Sequence, residues 1–402
     1  MYNLTDRNVL LGVTGSIAVY KAADLASKLT QAGARVEVVM TPEAERFVSG
    51  LTFLGVTGRR AYTDMFDVQS GAAELHIELA RRADVMVVAP ATATTMARLA
   101  LGLAEELVSL TALATRAPII VCPAMDTQMF EHAATQGHLE TLKSRGVHVV
   151  GPEVGRLASG HVGRGRLSEV DTIMGAVRYV LGRGGDLAGK KVVVSAGGTQ
   201  EAIDPVRFVG NHSSGKMGFA VAEAARDRGA EVVLVSGPAA LPDPYAVCVV
   251  RVQNAAGMRD AVLEACAGAD ALVMAAAVAD YQPAAAVGQK IKRTAEGLTL
   301  SLMKTPDILA EVGERPGLVK VGFAAESEDL LANARKKLGS KGLDLIAAND
   351  ITAEGSGFGS DTNRVLLLGR DGSEEELPLL PKYEVAGRIL DRVAAIIVAR
   401  QA

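Results

Sequence analysis

The chain has 402 residues, 49% of them hydrophobic and 22% charged, a folded profile with room for two cores of ordinary domain size. Its formal net charge of -4 gives no electrostatic support to nucleic acid or an anionic membrane as a partner. Cys122, Cys248 and Cys266 stand far apart without a CxxC pair, which argues against a disulfide framework or zinc site and for reduced thiols in a cytosolic protein.

In chain order, Tyr2 to Asn8 is polar, and the first apolar run, Val9 to Val13, is too short for a secretory core. The longest apolar stretches, such as Ala83 to Ala91, have strand length, well under the ~20 residues of a membrane span. The expectation is a cytoplasmic protein. Val9 to Val13 reads as a buried strand, Thr14-Gly15-Ser16 as a turn and Ala18 to Gln31 as a helix ended by Gly33. Val36 to Met40, Asp84 to Ala89 and Ile119 to Cys122 continue the strand series. Short apolar runs between helical segments predict a parallel sheet covered on both faces. The glycine-rich segment Gly182 to Asp186 reads as a linker. The pattern then restarts, with a strand at Lys191 to Ser195, a turn at Gly197-Gly198-Thr199, a helix at Gly218 to Arg228 and a strand at Glu231 to Ser236. The fold class is α/β, with two tandem Rossmann-like doubly wound domains over 1–186 and 187–402.

Gly12-Val13-Thr14-Gly15 sits between strand and helix, where backbone N–H groups and the helix dipole bind phosphate. It is not GxGxxG, and Thr41 stands where a dinucleotide's ribose carboxylate belongs. A mononucleotide phosphate or a ligand-free tight turn remain. Gly210 to Met217 contains GxxxxGK, but Met217 replaces the magnesium-binding Ser or Thr of a P-loop. An anion-binding loop is expected there instead. His76, flanked by Glu74 and Glu78, suits either proton transfer or a structural role. Pro90 to Thr95 and Pro123 to Asp126 follow apolar strands, so they form either one shared pocket or ordinary strand-end loops.

Gly15-Ser16-Ile17-Ala18, His76-Ile77, Pro90-Ala91-Thr92-Ala93 and Pro123-Ala124-Met125 resemble the motifs of the flavin-dependent cysteine decarboxylases. Ala196 to Thr199, Asp204 to Arg207, Asn211 to Lys216, Ala275 to Asp280 and Lys290-Ile291-Lys292 resemble phosphopantothenate–cysteine ligase. Together they resemble the bifunctional bacterial enzymes of coenzyme A biosynthesis over nearly the whole chain. The resemblance implies CTP-dependent ligation of L-cysteine to 4'-phosphopantothenate through an acyl-cytidylate, then FMN-dependent decarboxylation to 4'-phosphopantetheine. It implies Gly15, Ser16, Thr41, Thr92 and Ser109 for FMN, and His76 as base. It also implies Asn211 and Lys290 at the acyl-phosphate. For CTP it implies Gly198, Ala275, Ala276, Ala277, Asp280, Lys290, Pro306, Asp307, Ile308, Leu309, Phe323, Lys337 and Lys341, with Mg2+ accompanying the triphosphate. Lys337 and Lys341 would lie one turn apart on a helix. Without the resemblance they read as a solvated face. The resemblance also suggests a homo-oligomer, with trimeric flavin domains and dimeric ligase domains.

Two positions depart from that pattern. Asp126 replaces an asparagine amide that would receive the substrate carboxylate beside Met125. Carboxylates ~4 Å apart repel by roughly 4 kcal/mol at intermediate dielectric, so either Asp126 carries a proton or the substrate is held differently. Ser159, in the clamp-like segment Gly155 to His161, replaces a proton-donating cysteine, and a hydroxyl is a far weaker acid than a thiol of pKa ~8.5. His161 is the expected replacement acid. Taken literally, the departures predict an intact ligase beside a flavin half that is slow, stops at the enethiol or only binds FMN. A partner-binding flavoprotein subunit and an NAD-linked dehydrogenase are the competing classes. The ordered ligase motifs oppose the first and the absent dinucleotide fingerprint opposes the second.

Overall fold

The computed structural model describes residues 4–66, 74–292, 298–326, 329–350, 357 and 359–401. The chain folds into two compact units, Met1–Leu181 and Gly182–Ala402. Among the described residues no helix is long and apolar enough to cross a membrane.

The first unit runs β1 Asn8–Val13, α1 Val19–Gln31, β2 Arg35–Met40, α2 Pro42–Glu45, α3 Gly50–Thr57 and β3 Ala61–Tyr62. It continues with α4 Leu75–Arg82, β4 Val85–Ala91, α5 Ala93–Leu101, α6 Leu107–Ala114, β5 Ile119–Pro123 and α7 Thr127–Glu131. α8 Ala133–Ser144, β6 His148–Val149, the hairpin β7 Glu153–Arg156 and β8 Val162–Arg166, and α9 Val170–Gly182 complete it. Strand order is β3-β2-β1-β4-β5-β6, and every pairing in that sheet is parallel. Every residue of β4 is buried, as the continuous apolar run requires when helices cover both faces. α1 buries Val19, Ala22, Leu25, Ala26 and Leu29, the spacing of one helical face.

The second unit opens with β9 Lys191–Ala196, the small hairpin β10 Gln200–Ala202 and β11 Phe208–Gly210, then α10 Lys216–Arg226, β12 Glu231–Ser236 and β13 Cys248–Arg251. It proceeds through α11 Ala255–Ala265, β14 Ala271–Met274, β15 Tyr281–Pro283, β16 Leu302–Lys304, α12 Ile308–Val312 and β17 Val319–Glu326. α13 Leu330–Ser340, β18 Leu345–Asp350, β19 Thr362–Asn363, β20 Leu366–Gly369, β21 Glu374–Glu376, β22 Leu380–Pro381 and α14 Lys382–Gln401 follow. The eight-stranded sheet has order β13-β12-β9-β14-β17-β18-β20-β21.

This sheet departs from the all-parallel expectation, because β20 runs antiparallel to β18 and β21 antiparallel to β20. A tight turn in which Gly369 N donates to Ser373 O (2.8 Å) joins the last two strands, a link available only to antiparallel neighbours. The charged run Glu374–Glu376 forms the terminal strand, as edges that avoid further pairing do. Other boundaries shift with physical cause. α10 begins at Lys216 rather than Gly218, since Gly215 takes the left-handed conformation (φ 77°) that ends the preceding loop. β14 stops at Met274, so Asp280 lies beyond the small apolar loop Ala275 to Ala279.

Gly218 lets α10 lie directly on β9. A Cβ there would fall 2.5 Å from Ala196 Cβ and 2.7 Å from Ser195 O. Overpacking of this kind costs roughly 1–3 kcal/mol. Gly218→Ala is therefore expected to lower the calorimetric transition of the second unit while leaving that of the first in place.

Candidate active sites

In the first unit the chain leaves β1 towards β2 and later returns to β4 on the other side. This is the switch point where open parallel sheets bind ligands, beyond the strands' carboxyl ends. Thr14 Oγ1 donates to Pro90 O (2.7 Å) and accepts from Thr92 N (3.2 Å), drawing the turn after β1 against the end of β4. Gly15, Ser16 and Thr92 are thereby brought together. Ser16 Oγ accepts from Ala18 N at 3.3 Å, and no side chain caps the N-terminus of α1, leaving a phosphate-sized anion as its natural cap. Thr41 is buried beside them. Its N–H donates to Val13 O (3.0 Å) and its hydroxyl caps α2 by accepting from Ala44 N (3.3 Å). A Cβ on Gly15 would overlap that of Glu43, so an exposed carboxylate stands near the turn, two residues past Thr41.

Pro90 and Pro123 are not the first loop residues. β4 extends to Ala91 and β5 to Pro123, paired Ala91 to Pro123, and Ala124 N continues the contact to Ala91 O at 3.0 Å. His76 lies in the first turn of α4, partly buried. Its neighbour Leu75 belongs to the apolar cluster that includes Ala91 and Met125. Ser109 is placed apart from this group. Its hydroxyl donates to Glu106 O (3.1 Å), and it lines a separate cavity of about 210 Å³ with Arg98 and Arg145.

Asp126 caps α7, with Oδ1 accepting from Gln128 N (3.1 Å) and Oδ2 from Ser159 Oγ (2.8 Å). Met125 N donates to Gly165 O at 3.0 Å. The fold thus joins Met125, Asp126, Ser159 and His161 through the β7–β8 hairpin. The Ser159 hydroxyl, the Gln128 N–H and the nearby His161 hold the Asp126 carboxyl below its ordinary range, which favours the second of the two alternatives, a substrate carboxylate held differently. No cysteine lies in the hairpin: Cys122 and Cys266 are buried, and burial pushes both thiols up.

The second unit holds two cavities of about 500 and 510 Å³ that share Ala276, Val278, Asp280, Phe323 and Lys337. The first is also lined by Pro306, Asp307, Ile308, Leu309 and Lys341. The second is also lined by Asn211, Ala275 and Ala277. Asp307 caps α12 by accepting from Ala310 N (3.2 Å), and its other oxygen pairs with Lys341. Burial alone would raise its carboxyl, but Lys341, the Ala310 N–H and Lys337 together lower it. Lys341 is the residue after α13 rather than within it. Lys337 Nζ donates to Phe323 O at 2.7 Å. Gly198 bridges to Ala277 and supports the loop from below. Lys290 is exposed and lines neither cavity. Its segment is held by Ile291 N donating to Asp204 Oδ2 (3.1 Å) and by Arg207 donating to Ile291 O (2.8 Å).

Two charged residues, Asp361 and Lys382, escaped the sequence, and Lys216 stood there only as part of a motif. Lys216 donates to Gly359 O (2.9 Å) and Asp361 (2.7 Å), and Lys382, 6% exposed, donates to Gly357 O at 3.0 Å. Burial, then the neighbouring Lys216, lowers the Lys382 ammonium. Both lysines line the second cavity. Lys216 was visible in the GxxxxGK segment, whereas Asp361 and Lys382 carry no local signal. Among the described residues no group of three or more His, Cys, Asp or Glu is placed to hold a metal.

The flavoprotein family model matches residues 1–182, and that of the DNA/pantothenate metabolism flavoprotein C-terminal domain matches 187–397. The coenzyme A biosynthesis bifunctional protein CoaBC of Bacillus subtilis (strain 168) is 46% identical over 397 residues, covering 98% of each chain. The protein of that name from Vibrio vulnificus (strain YJ016) is 43% identical over 402 residues, covering 98% of this chain and 99% of its own. That from Mycobacterium tuberculosis (strain CDC 1551 / Oshkosh) is 44% identical over 409 residues, covering 97% of each.

Because a hydrogen bond to an ionised group favours that form, the Asp126 carboxyl is expected to titrate below the ordinary value of about 3.9. Ser159→Ala should move the midpoint up. Carbon-13 NMR of aspartate-labelled protein reads both, and an unmoved midpoint would contradict the assigned cause.

Proposed function

The chain belongs to the family of bifunctional coenzyme A biosynthesis proteins, and from that premise we propose how its two units divide the work. It is a bifunctional enzyme, ligase and decarboxylase. The ligase occupies 187–402 and the flavin-dependent decarboxylase 1–186. The pair of cavities sharing Ala276, Asp280, Phe323 and Lys337 is the observation that carries the ligase reading. CTP takes the cavity of Pro306 to Leu309 and Lys341, and 4'-phosphopantothenate with L-cysteine takes that of Asn211. A carboxylate oxygen attacks the α-phosphate and pyrophosphate leaves. The cysteine amine then attacks the acyl carbon and CMP leaves. This brings several anions together, so lysines and amide donors must offset their repulsion. Lys337 stands on the wall common to both cavities, where charge develops. Asn211 faces the acyl-phosphate, and Lys290 would reach it by movement of its exposed segment. Lys216 and Lys382 suit the phosphate end of the pantothenate. Mg2+ would enter with the triphosphate, bound chiefly by phosphate oxygens and water.

FMN would fit the crevice beyond β1 and β4, held at the start of α1 by Gly15, Ser16 and Thr92, with Thr41 in support, whereas Ser109 lines a separate cavity. Bound there, it supplies the two-electron oxidation, and later the return of electrons, that makes loss of CO₂ from the cysteinyl carboxylate easy. His76 accepts the thiol proton, Met125 and Asp126 bound the substrate's path, and His161 offers a proton from the hairpin. Whole-chain similarity to bifunctional relatives favours the complete reaction over an impaired flavin half. Cytoplasmic location and a homo-oligomer, with trimeric flavin domains and dimeric ligase domains, belong to the same proposal. Exposed Ile17 before α1, Tyr20 on α1 and Leu51 on α3 offer apolar surface for assembly.

The test is to supply flavin-loaded protein with 4'-phosphopantothenate, L-cysteine, CTP and Mg2+ and to weigh the product. 4'-Phosphopantetheine with CTP-dependent pyrophosphate is expected. An enethiol two hydrogens lighter would refute complete decarboxylation, and no pyrophosphate would refute the ligase. Lys337→Ala should cut pyrophosphate release about tenfold or more, the worth of one charge-assisted bond. Decarboxylation of supplied 4'-phosphopantothenoylcysteine should be unchanged.

A further inference from the structure

The β7–β8 hairpin lies on the segment after β5 through a face without side chains. Val154, Arg156, Val162 and Arg164 are exposed. A Cβ at Gly163 would overlap the Thr127 hydroxyl, and one at Gly165 the Met125 carbonyl. The hairpin's base is tied down by Glu169 N donating to Glu153 Oε1 (3.1 Å) and by the buried Lys21 donating to Leu167 O (3.2 Å). Its tip closes on itself, with Leu157 N donating to His161 O (2.8 Å) and Gly160 N to Leu157 O (2.9 Å). Ser159 then projects from the tip to Asp126, whose two oxygens are committed to Gln128 N and Ser159 Oγ.

We propose that Asp126 and Ser159 are a matched pair that latches the hairpin tip over the carboxyl edge of β5, with Asp126 a positioning residue acting through the Ser159 hydroxyl. The match is one of charge. An ionised carboxylate only accepts hydrogen bonds, and a hydroxyl donates to it without ionising. A thiol donates weakly, and a neighbouring carboxylate disfavours its thiolate, so cysteine at 159 suits a neutral partner better than Asp126. Asparagine at 126 can still cap α7 and accept from Ser159 at neutral strength. The two positions therefore change well together and badly one at a time. With both oxygens of Asp126 in use, the latch brings His161 over the crevice while the carboxylate stays turned to protein donors.

The latch is tested on the full-length, flavin-loaded protein by limited trypsin digestion, because the exposed Arg156 and Arg164 bracket the tip. Ser159→Ala and Ser159→Cys should speed cleavage at these sites about tenfold, the ratio one charge-assisted hydrogen bond supports. Ser159→Thr, which keeps the hydroxyl, should cleave like the unchanged protein. A kinetic arm rests on the proposed decarboxylase reading. There Ser159→Ala raises KM for 4'-phosphopantothenoylcysteine more than it lowers kcat. The pair Asp126→Asn with Ser159→Cys recovers most of what Ser159→Cys alone loses, a coupling that independent sites would not show. Unchanged cleavage in Ser159→Ala, or strictly additive effects, would overturn the latch. If cleavage responds as stated but the unchanged protein turns over no substrate, the decarboxylase reading fails and the latch stands.

Discussion

Close approach of backbone to backbone at the carboxyl edge of a parallel sheet is the constraint on which both units depend. In the first, the turn after β1 reaches the start of α2 only because Gly15 has no side chain to meet Glu43. In the second, Gly198 sits 2.7 Å, measured from an ideal Cβ, from Asn211 O, and Gly237 2.6 Å from Gly198 O. Three loops, following β9, β11 and β12, are stacked by these clearances behind the wall that Asn211 contributes to one of the shared cavities. A methyl at any of these points would push a loop outwards and open the wall. The helix N-terminus that each turn feeds would then no longer face the crevice.

The strand–turn–helix openings were legible because apolar runs and glycine turns are local signals. Val9 to Val13 and Lys191 to Ser195 could be read as buried strands from their composition alone. What was not legible is non-local. Lys382 follows β22 in a charged, unremarkable context, and only the packing of α14 carries it into the cavity of Asn211. The reversal at β20 depends on which neighbour β18 leaves unpaired, and no residue type announces that. Asp126 and Ser159 each stood out in the sequence as a single departure. Their hydrogen bond could not be read from a separation of 33 positions.

Charge is handled differently in the two units. The two cavities of the second unit concentrate Lys216, Lys337, Lys341 and Lys382, two of them tied to Asp361 and Asp307. Such partly exposed pairs contribute little to stability. Their effect is to keep long side chains from collapsing into solvent while the cavity stays cationic. Lys382, held by carbonyl oxygens and disfavoured by burial and by Lys216, would gain most from an arriving anion. At the corresponding edge of the first unit the groups brought together are the hydroxyls of Thr14, Ser16 and Thr92, backbone N–H groups and the hairpin.

One local device nevertheless recurs. Asp126 and Asp307 each cap a five-residue helix at the rim of a crevice, one oxygen taking a backbone N–H and the other a side chain from a different element. Capping fixes the carboxylate at no further entropic cost, so the second oxygen becomes a preset anchor. Where the visitor is the Lys341 ammonium, the anchor meets an opposite charge, and an anion arriving there would have to displace it. The Ser159 hydroxyl cancels nothing, so the anchor can hold the hairpin while the carboxylate keeps its charge. The same residue in the same cap thus serves as a charge to be displaced in one unit and as a mechanical tie in the other. What differs is the donor that the fold delivers to its free oxygen.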